Sequence, residues 1–327
     1  MRTKLFIMIL ALGTAALSLI NSILLAEREG ASSAVAVFNQ LFALTMMITG
    51  FAGSGAGRNQ LVHERMHDPG STGLRLVREM WTSMLAIRLA VVGLLLFAPA
   101  SWLRVFTGFD ASGLGEAELP VARFWGLVCL ARLLLDGVVF IATCKKRLES
   151  AALTVFVAAV FENTALYFFS PALVSMLIGT AIGEVLIAGV YAAWVVRKPD
   201  IAWLMPILSA RAFAAGFMRL LPLTIASAFL LVTFWARNYM LAASAASVAL
   251  FAYVQAILRN AGLSLSAPMV STYGVWISDA SRSLDERRRL AMRGLGEVLG
   301  LSVGVTAIVY AIGTWALAAL FGKGSRI

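Results

Sequence analysis

Apolar residues fall in long runs along this chain, separated by short polar stretches. A helix needs roughly 20 such residues to cross a bilayer. Nine runs approach or exceed that length: 5–25, 34–57, 80–106, 122–144, 151–169, 172–196, 210–236, 242–277 and 294–321. Barrel strands would show about ten residues of alternating polarity, and no such alternation is present. Backbone inside a bilayer must satisfy its own hydrogen bonds, so each run is expected to be helical almost throughout. The fifth and sixth runs are parted only by Ser170-Pro171. The eighth is too long for one straight span, and Pro268 is expected to kink it or mark its exit. The first run follows Arg2 and Lys4 as in a signal peptide. It continues to about Leu25 without a small-x-small cleavage site at the right distance, so it is read as a retained helix. The expected fold is all-α, a polytopic membrane protein of about nine transmembrane helices.

Composition sharpens this picture. Of 327 residues, 60% are hydrophobic and 13% charged, where a soluble domain is about half apolar and a quarter charged. The excess apolar surface argues against a soluble enzyme, and the same figures argue against disorder. The net charge of +10 comes from 27 Lys and Arg against 17 Asp and Glu. In a membrane protein such an excess marks cytoplasmic loops rather than nucleic-acid binding. Two cysteines, Cys129 and Cys144, cannot build a disulfide framework or a Cys-rich metal site. Two histidines, His63 and His67, leave little for a histidine metal site. No metal and no cofactor are expected.

The basic residues alternate between loops. Arg2 and Lys4 precede the first run. Arg58, Arg65, Arg75 and Arg78 follow the second, Lys145, Lys146 and Arg147 the fourth, and Arg197, Lys198 and Arg211 the sixth. Arg282, Arg287, Arg288, Arg289 and Arg293 follow the eighth. The intervening loops carry far less. This bias places the N-terminus in the cytoplasm, and an odd number of spans puts the C-terminus outside. The stretch "DASRSLDERRRLAMRG" is expected to form a short helix on the inner surface, setting topology or binding anionic lipid.

The chain also repeats weakly, with an offset of about 210 residues. Runs one to three resemble runs seven to nine. The second and eighth each pass into a basic loop, and the third and ninth each close on an aromatic-glycine end, Phe106 to Gly108 and Phe321-Gly322. Six spans lie between equivalent points, so both copies share one orientation, a plan known in secondary transporters. Residues 1–198 are read as a six-helix lobe and 199–327 as a partial second lobe of three helices.

Four stretches carry a family resemblance: "GFAGSGAGRNQLVHER", "GFMRLLPLTIASAFLLVTFWARNYMLA", "ALFAYVQAILRNAGLSLSAPMVSTYGVWISDASRS" and "WALAALFG". Together they make the chain resemble the polysaccharide flippases of the multidrug/oligosaccharidyl-lipid/polysaccharide exporter superfamily. The resemblance implies a MATE-like two-lobe bundle, here with an incomplete second lobe, since family members usually have twelve to fourteen helices. It implies transport of a lipid-linked oligosaccharide across the bacterial cytoplasmic membrane. The implied partners are a polyprenyl-pyrophosphate-linked glycan, membrane lipids and polysaccharide assembly proteins. It also implies a cavity lined by helices one, two, seven and eight. At the end of helix seven Arg237-Asn238 stands where many members carry an acidic residue.

Such a cargo needs a polar, cationic hollow at membrane depth. A charge at the bilayer centre costs about 2.5–3.5 kcal/mol on insertion scales, so it is expected to face a cavity or a partner. The candidates for substrate binding are Arg88, Arg132, Arg219, Arg237, Arg259 and Asn260, because the planar guanidinium grips phosphate with two parallel hydrogen bonds. Each has a plainer reading. Arg132 and Asp136 are four residues apart on one helical face and are expected to neutralise each other. Arg88 either pairs with Glu162 or Glu184 across helices or faces the cavity. Arg219 either snorkels to the inner surface or faces the cavity. Arg259, with Asn260 beside it, is the strongest cavity candidate. Asp136, Glu162 and Glu184 are candidates for ion coupling, with a structural ion pair or buried hydrogen bond as the plainer role. "GFAGSGAG" reads as close packing or a hinge; no strand precedes it and no Gly-Lys-Ser/Thr follows, which argues against a nucleotide loop. Trp81, Trp102, Trp125, Trp194, Trp203 and Trp276 read as an interfacial belt.

Three rival readings remain. One is a cation-coupled drug or metabolite exporter of the same superfamily. Another is a truncated, non-transporting membrane protein. The last is a membrane-embedded glycosyltransferase or polymerase, against which stands the single outer loop of any length, about 104–121, with only Asp110, Glu116 and Glu118. No catalytic residue is expected.

Overall fold

The computed structural model describes residues 2–30, 32–51, 55–107, 119–241, 247–249, 252–253, 272–279 and 281–321. Among these the regular structure is entirely helical. The elements are α1 (Arg2–Glu29), α2 (Ser33–Phe51), α3 (Gly55–His67), α4 (Ser71–Phe97), α5 (Ala100–Thr107), α6 (Leu119–Cys144), α7 (Glu149–Phe168) and α8 (Ala172–Val195). After these come α9 (Lys198–Ile201), a 3-10 turn (Ala202–Leu204), α10 (Ala210–Leu241) and α11 (Leu284–Phe321). Residues 272–278 are also helical.

By length and composition, Leu5–Glu29, Ser71–Phe97, Leu119–Cys144 and Ala172–Val195 can cross a membrane, and Ser33–Thr45 and Ala152–Phe168 are shorter apolar helices. The helices coincide with the apolar runs but overshoot them. α4 begins nine residues before its run, and α3 turns much of the basic stretch after the second run into helix. Most of the eighth run, including Pro268, lies outside the described residues. Pro222 sits inside α10 without ending it.

The expected short surface helix is corrected. The basic stretch is the opening of α11, which continues unbroken for 38 residues. Ser283 Oγ accepts from the Glu286 N–H at 3.2 Å, and Glu286 Oε2 accepts from the Ser283 N–H at 3.4 Å. This reciprocal cap starts the helix, and nothing between it and the apolar run stops it.

The helices pack in a definite order. α7 lies against α1 and α8, α8 against α6, α6 against α4, and α10 against α4 and α2. Between apolar helices in lipid, close packing replaces the hydrophobic drive, and small residues permit it. A Cβ on Gly179 of α8 would stand 2.8 Å from the Phe161 carbonyl oxygen of α7. One on Gly216 of α10 would stand 2.1 Å from the Glu79 carbonyl oxygen of α4. Polar bonds stitch α4 to α10 and to the connection that precedes it: Arg78 Nε donates to the Met205 carbonyl (2.8 Å), the Ile207 N–H to Thr82 Oγ1 (2.9 Å), and Ser83 Oγ to the Phe213 carbonyl of α10 (2.6 Å).

One apolar cluster, around Leu41, Leu95, Val128, Leu166 and Leu173, holds the end of the bundle away from the basic loops. A second, around Leu61, Met80, Trp81, Phe140 and Leu220, holds the basic end. The tryptophan belt is therefore corrected in part. Trp102 and Trp194 are exposed, but Trp81 and Trp125 are buried core residues. Arg28 and Arg123, which fall in the sparsely charged intervening loops, cap helices. Arg28 donates to the carbonyls of Leu166, Tyr167 and Phe169 at the end of α7, and Arg123 to those of Leu95 and Ala98 at the end of α4. Cations suit these termini because the last carbonyls of a helix carry partial negative charge.

Candidate functional site

Between the two apolar clusters lies a polar layer built from α1, α3, α4, α6, α7 and α8. A helix turns about 100° per residue, and this decides where its side chains point. Arg132 is roughly opposite Leu127 and Leu134 on α6, which are 42% and 57% exposed and face outward. By the same count Glu162 is opposite Val160 and Thr164 on α7, and Glu184 is opposite Ile182 and Leu186 on α8. All three polar residues face into the bundle.

The partners differ from those expected. Arg132 does not pair with Asp136. Its Nε and one terminal nitrogen both donate to Glu184 Oε1 of α8, at 2.9 and 2.7 Å. Arg88 pairs with neither Glu162 nor Glu184; it donates to Asp136 Oδ2 at 2.6 Å. Arg58 of α3, read above as a loop cation, reaches in to Asp136 Oδ1 at 3.2 Å. The cause is geometric. Residues one turn apart point side by side, whereas facing helices aim their side chains at each other, so α4 and α8 outcompete the local partner. Burial then makes the pairing obligatory, since an unpaired buried charge is far costlier than a paired one.

The third acid is held differently. Glu162 accepts from Asn21 Nδ2 of α1 at 3.1 Å and from Thr180 Oγ1 of α8 at 2.8 Å. Its neighbour Asn163 donates to the carbonyls of Leu17 (3.0 Å) and Ala159 (2.8 Å), tying α7 to α1. Asn21, Thr180 and Arg58 were not among the candidates. Their residue types are common in loops and packed helices, and only the assembled faces mark them.

Arg132 combines depth with access. Its side chain is 39% exposed, while its partner Glu184 is 3% exposed. The Trp125 ring lies 5.8 Å from its guanidinium carbon, and Trp125 itself is anchored by donating to Thr45 Oγ1 at 2.7 Å.

Of the remaining basic candidates only Arg219 has a described side chain. Arg219 is exposed on α10, at the flank of the surface that packs on α4. Arg237 belongs to the last turns of α10, and Arg259 and Asn260 lie outside the described residues. The glycine stretch 50–57 lies where α2 gives way to α3, and its middle, 52–54, is outside them too. Among the described residues no group of three or more His, Cys, Asp or Glu is placed to hold a metal ion.

No protein-family model and no curated protein matches the chain. A search of solved structures matches it to a MATE multidrug transporter, DinF-BH, solved in complex with a ligand. The match covers 98% of this chain and 74% of that one, with a TM-score of 0.66. The chain has the MATE fold. At 17% identity the likeness establishes architecture alone. It agrees with the helical, multi-pass membrane fold read from the apolar runs.

The basic end carries a second set of contacts. The turn between α6 and α7 closes through bonds from the Lys146 N–H to the Thr143 carbonyl (2.9 Å) and from the Arg147 N–H to the Ala142 carbonyl (3.0 Å). This glycine-favouring cap places Lys146 at φ 62°. A left-handed lysine there costs roughly 1–2 kcal/mol. Lys146 Nζ reaches Asp279 Oδ2 at 2.9 Å. That bond, with two from Ser281, pulls the Asp279 carboxyl down from 3.8 to about 2. On α3, His63 Nδ1 lies 2.9 Å from Ser278 Oγ.

Proposed function

We propose that the chain is a membrane transporter that exposes a hollow between two helical lobes alternately to the two sides of a bilayer. Residues 1–198 form the first lobe and residues 199–327 belong to the second. The observation that carries this reading is the MATE fold over 98% of the chain. The first cargo proposed is a lipid-linked oligosaccharide, moved across the bacterial cytoplasmic membrane with the N-terminus inside; the four stretches that resemble polysaccharide flippases support it. The guanidiniums left to grip its pyrophosphate are Arg219, Arg237 and Arg259, with Asn260 next to Arg259 in the chain. Arg88 and Arg132 serve chiefly to neutralise Asp136 and Glu184.

A second reading, a cation-coupled exporter, is favoured by the acids. Glu162 is half-buried, faces into the bundle and is held by the neutral donors Asn21 and Thr180. Asp136, by contrast, is gripped by two guanidiniums. Glu162 is therefore the preferred coupling group.

One experiment separates the readings. The full chain is reconstituted in proteoliposomes and offered a fluorescent lipid-pyrophosphate oligosaccharide or a cationic dye, with and without a proton or sodium gradient. The flippase reading expects movement of the glycolipid and its loss in Arg259→Ala. Dye movement that requires a gradient and fails in Glu162→Gln selects the exporter. Movement of neither cargo counts against transport.

A further inference from the structure

The connection between α8 and α10, residues 196–209, is fixed to the bundle by polar bonds and turns apolar side chains outward. Lys145 Nζ, just past the end of α6, donates to the Val195 carbonyl at 2.8 Å and to the Asp200 carboxylate. Asp200 Oδ2 also accepts from the Arg197 N–H at 2.6 Å. Farther on, the bonds from Arg78 to the Met205 carbonyl and from the Ile207 N–H to Thr82 tie the chain to α4. Trp203 and Leu204 face the bundle. They pack on the second apolar cluster, and the Trp203 ring centre lies 4.6 Å from the Arg65 guanidinium carbon. Their neighbours do the opposite: Ile201 is 51% exposed, Met205 55% and Leu208 93%. Arg197, Lys198 and Arg211, all exposed, flank these three in the chain.

We propose that this connection lies in the headgroup layer of the leaflet at the basic end. Ile201, Met205 and Leu208 insert there, and Arg197, Lys198 and Arg211 bind the phosphates of anionic phospholipid. The inference needs the membrane fold but not the transport reading. Three observations support it. The anchors set the depth. Arg78 and Thr82 straddle the start of the apolar run in α4, and Lys145 and Val195 stand at the basic ends of α6 and α8. The connection is thus level with the boundary where the spans leave the hydrocarbon. The second observation is continuity. Ile178, Ile182, Leu186, Val190 and Trp194 form an exposed row along α8 at four-residue spacing, the pattern of a helix face turned to lipid. The row ends on Trp194, a ring suited to the headgroup level, and the connection begins two residues later. The third is charge. Cations at the rim of inserted apolar side chains hold a segment in an anionic interface. Asp200, the connection's one acid, is buried against Lys145 and does not oppose them.

Fluorescence quenching on the full chain in nanodiscs tests the placement. Cys129 and Cys144 are replaced by Ala, and a small fluorophore is attached at Leu208→Cys or, as the control, at Asp285→Cys. Asp285 is exposed and lies nine residues before the apolar run of α11, so its probe should sit in water. A lipid with a nitroxide high on its acyl chain should quench the Leu208 probe about threefold more than the control, and aqueous acrylamide should quench it correspondingly less. Equal quenching of the two probes by acrylamide overturns the proposal. So does a Leu208 probe protected from both quenchers, because protein rather than lipid then covers it. The charge assignment is read separately, from the binding of spin-labelled phosphatidylglycerol relative to phosphatidylcholine. Replacing Arg197, Lys198 and Arg211 together by Gln should lower that preference by about two- to fivefold. An unchanged preference overturns the anionic-lipid assignment. None of these substitutions removes an anchoring bond, so the loss is not one of folding.

Discussion

Asp136 and Asp279 are both aspartates bonded to cations, yet their surroundings give them different weight. Asp136 lies inside the bundle between Arg58 of α3 and Arg88 of α4. Asp279 lies at the basic end, bonded to a lysine that is mostly in water. The inner group cannot be unpaired without leaving charge stranded in a medium that solvates it poorly. The outer group loses little, because water takes the partner's place. The inner pairing is thus the costlier of the two to break.

The largest test of this contrast is Asp136→Ala. It leaves two guanidiniums in the interior and should cost about 3–5 kcal/mol, seen as a large fall in the thermal midpoint of the detergent-solubilised protein. An unchanged midpoint would mean that water reaches the layer freely. Glu184→Gln comes next. Arg132 keeps a neutral acceptor and part of its exposure, so the loss should be about 1–3 kcal/mol in the same melt. Asn21→Ala removes one neutral donor from Glu162 and should cost about 1 kcal/mol. A loss as large as that of Asp136→Ala would show Glu162 to be as dependent on its partners as the doubly paired acid.

Asp279→Asn should be smallest, about 0.2–1 kcal/mol. Its pH dependence has a definite sign. The folded carboxyl is held below its ordinary value, so its contribution is complete above about 3.8 and is lost as pH falls toward about 2. Melts of wild type and Asp279→Asn should therefore differ by the same amount at pH 5 and pH 8 and converge near pH 2. A difference that changes between pH 5 and 8 would assign the titration to another group.

The apolar runs alone located most of the long helices. Run length is a local property, and a bilayer leaves buried backbone no alternative to internal hydrogen bonds, so the observed helices sit on the runs. The sequence also marked Arg88, Arg132, Asp136, Glu162 and Glu184 as costly enough to need partners. It could not name those partners. Arg132 has Asp136 one turn away and takes Glu184, fifty-two residues on. Arg58 looks like a loop charge and enters the bundle. Arg28 and Arg123 look like topology signals and cap α7 and α4. Lys146 becomes unusual only once its backbone angle is known. Partner choice depends on which faces of which helices meet, and that follows from the packing of the whole bundle rather than from spacing along one helix.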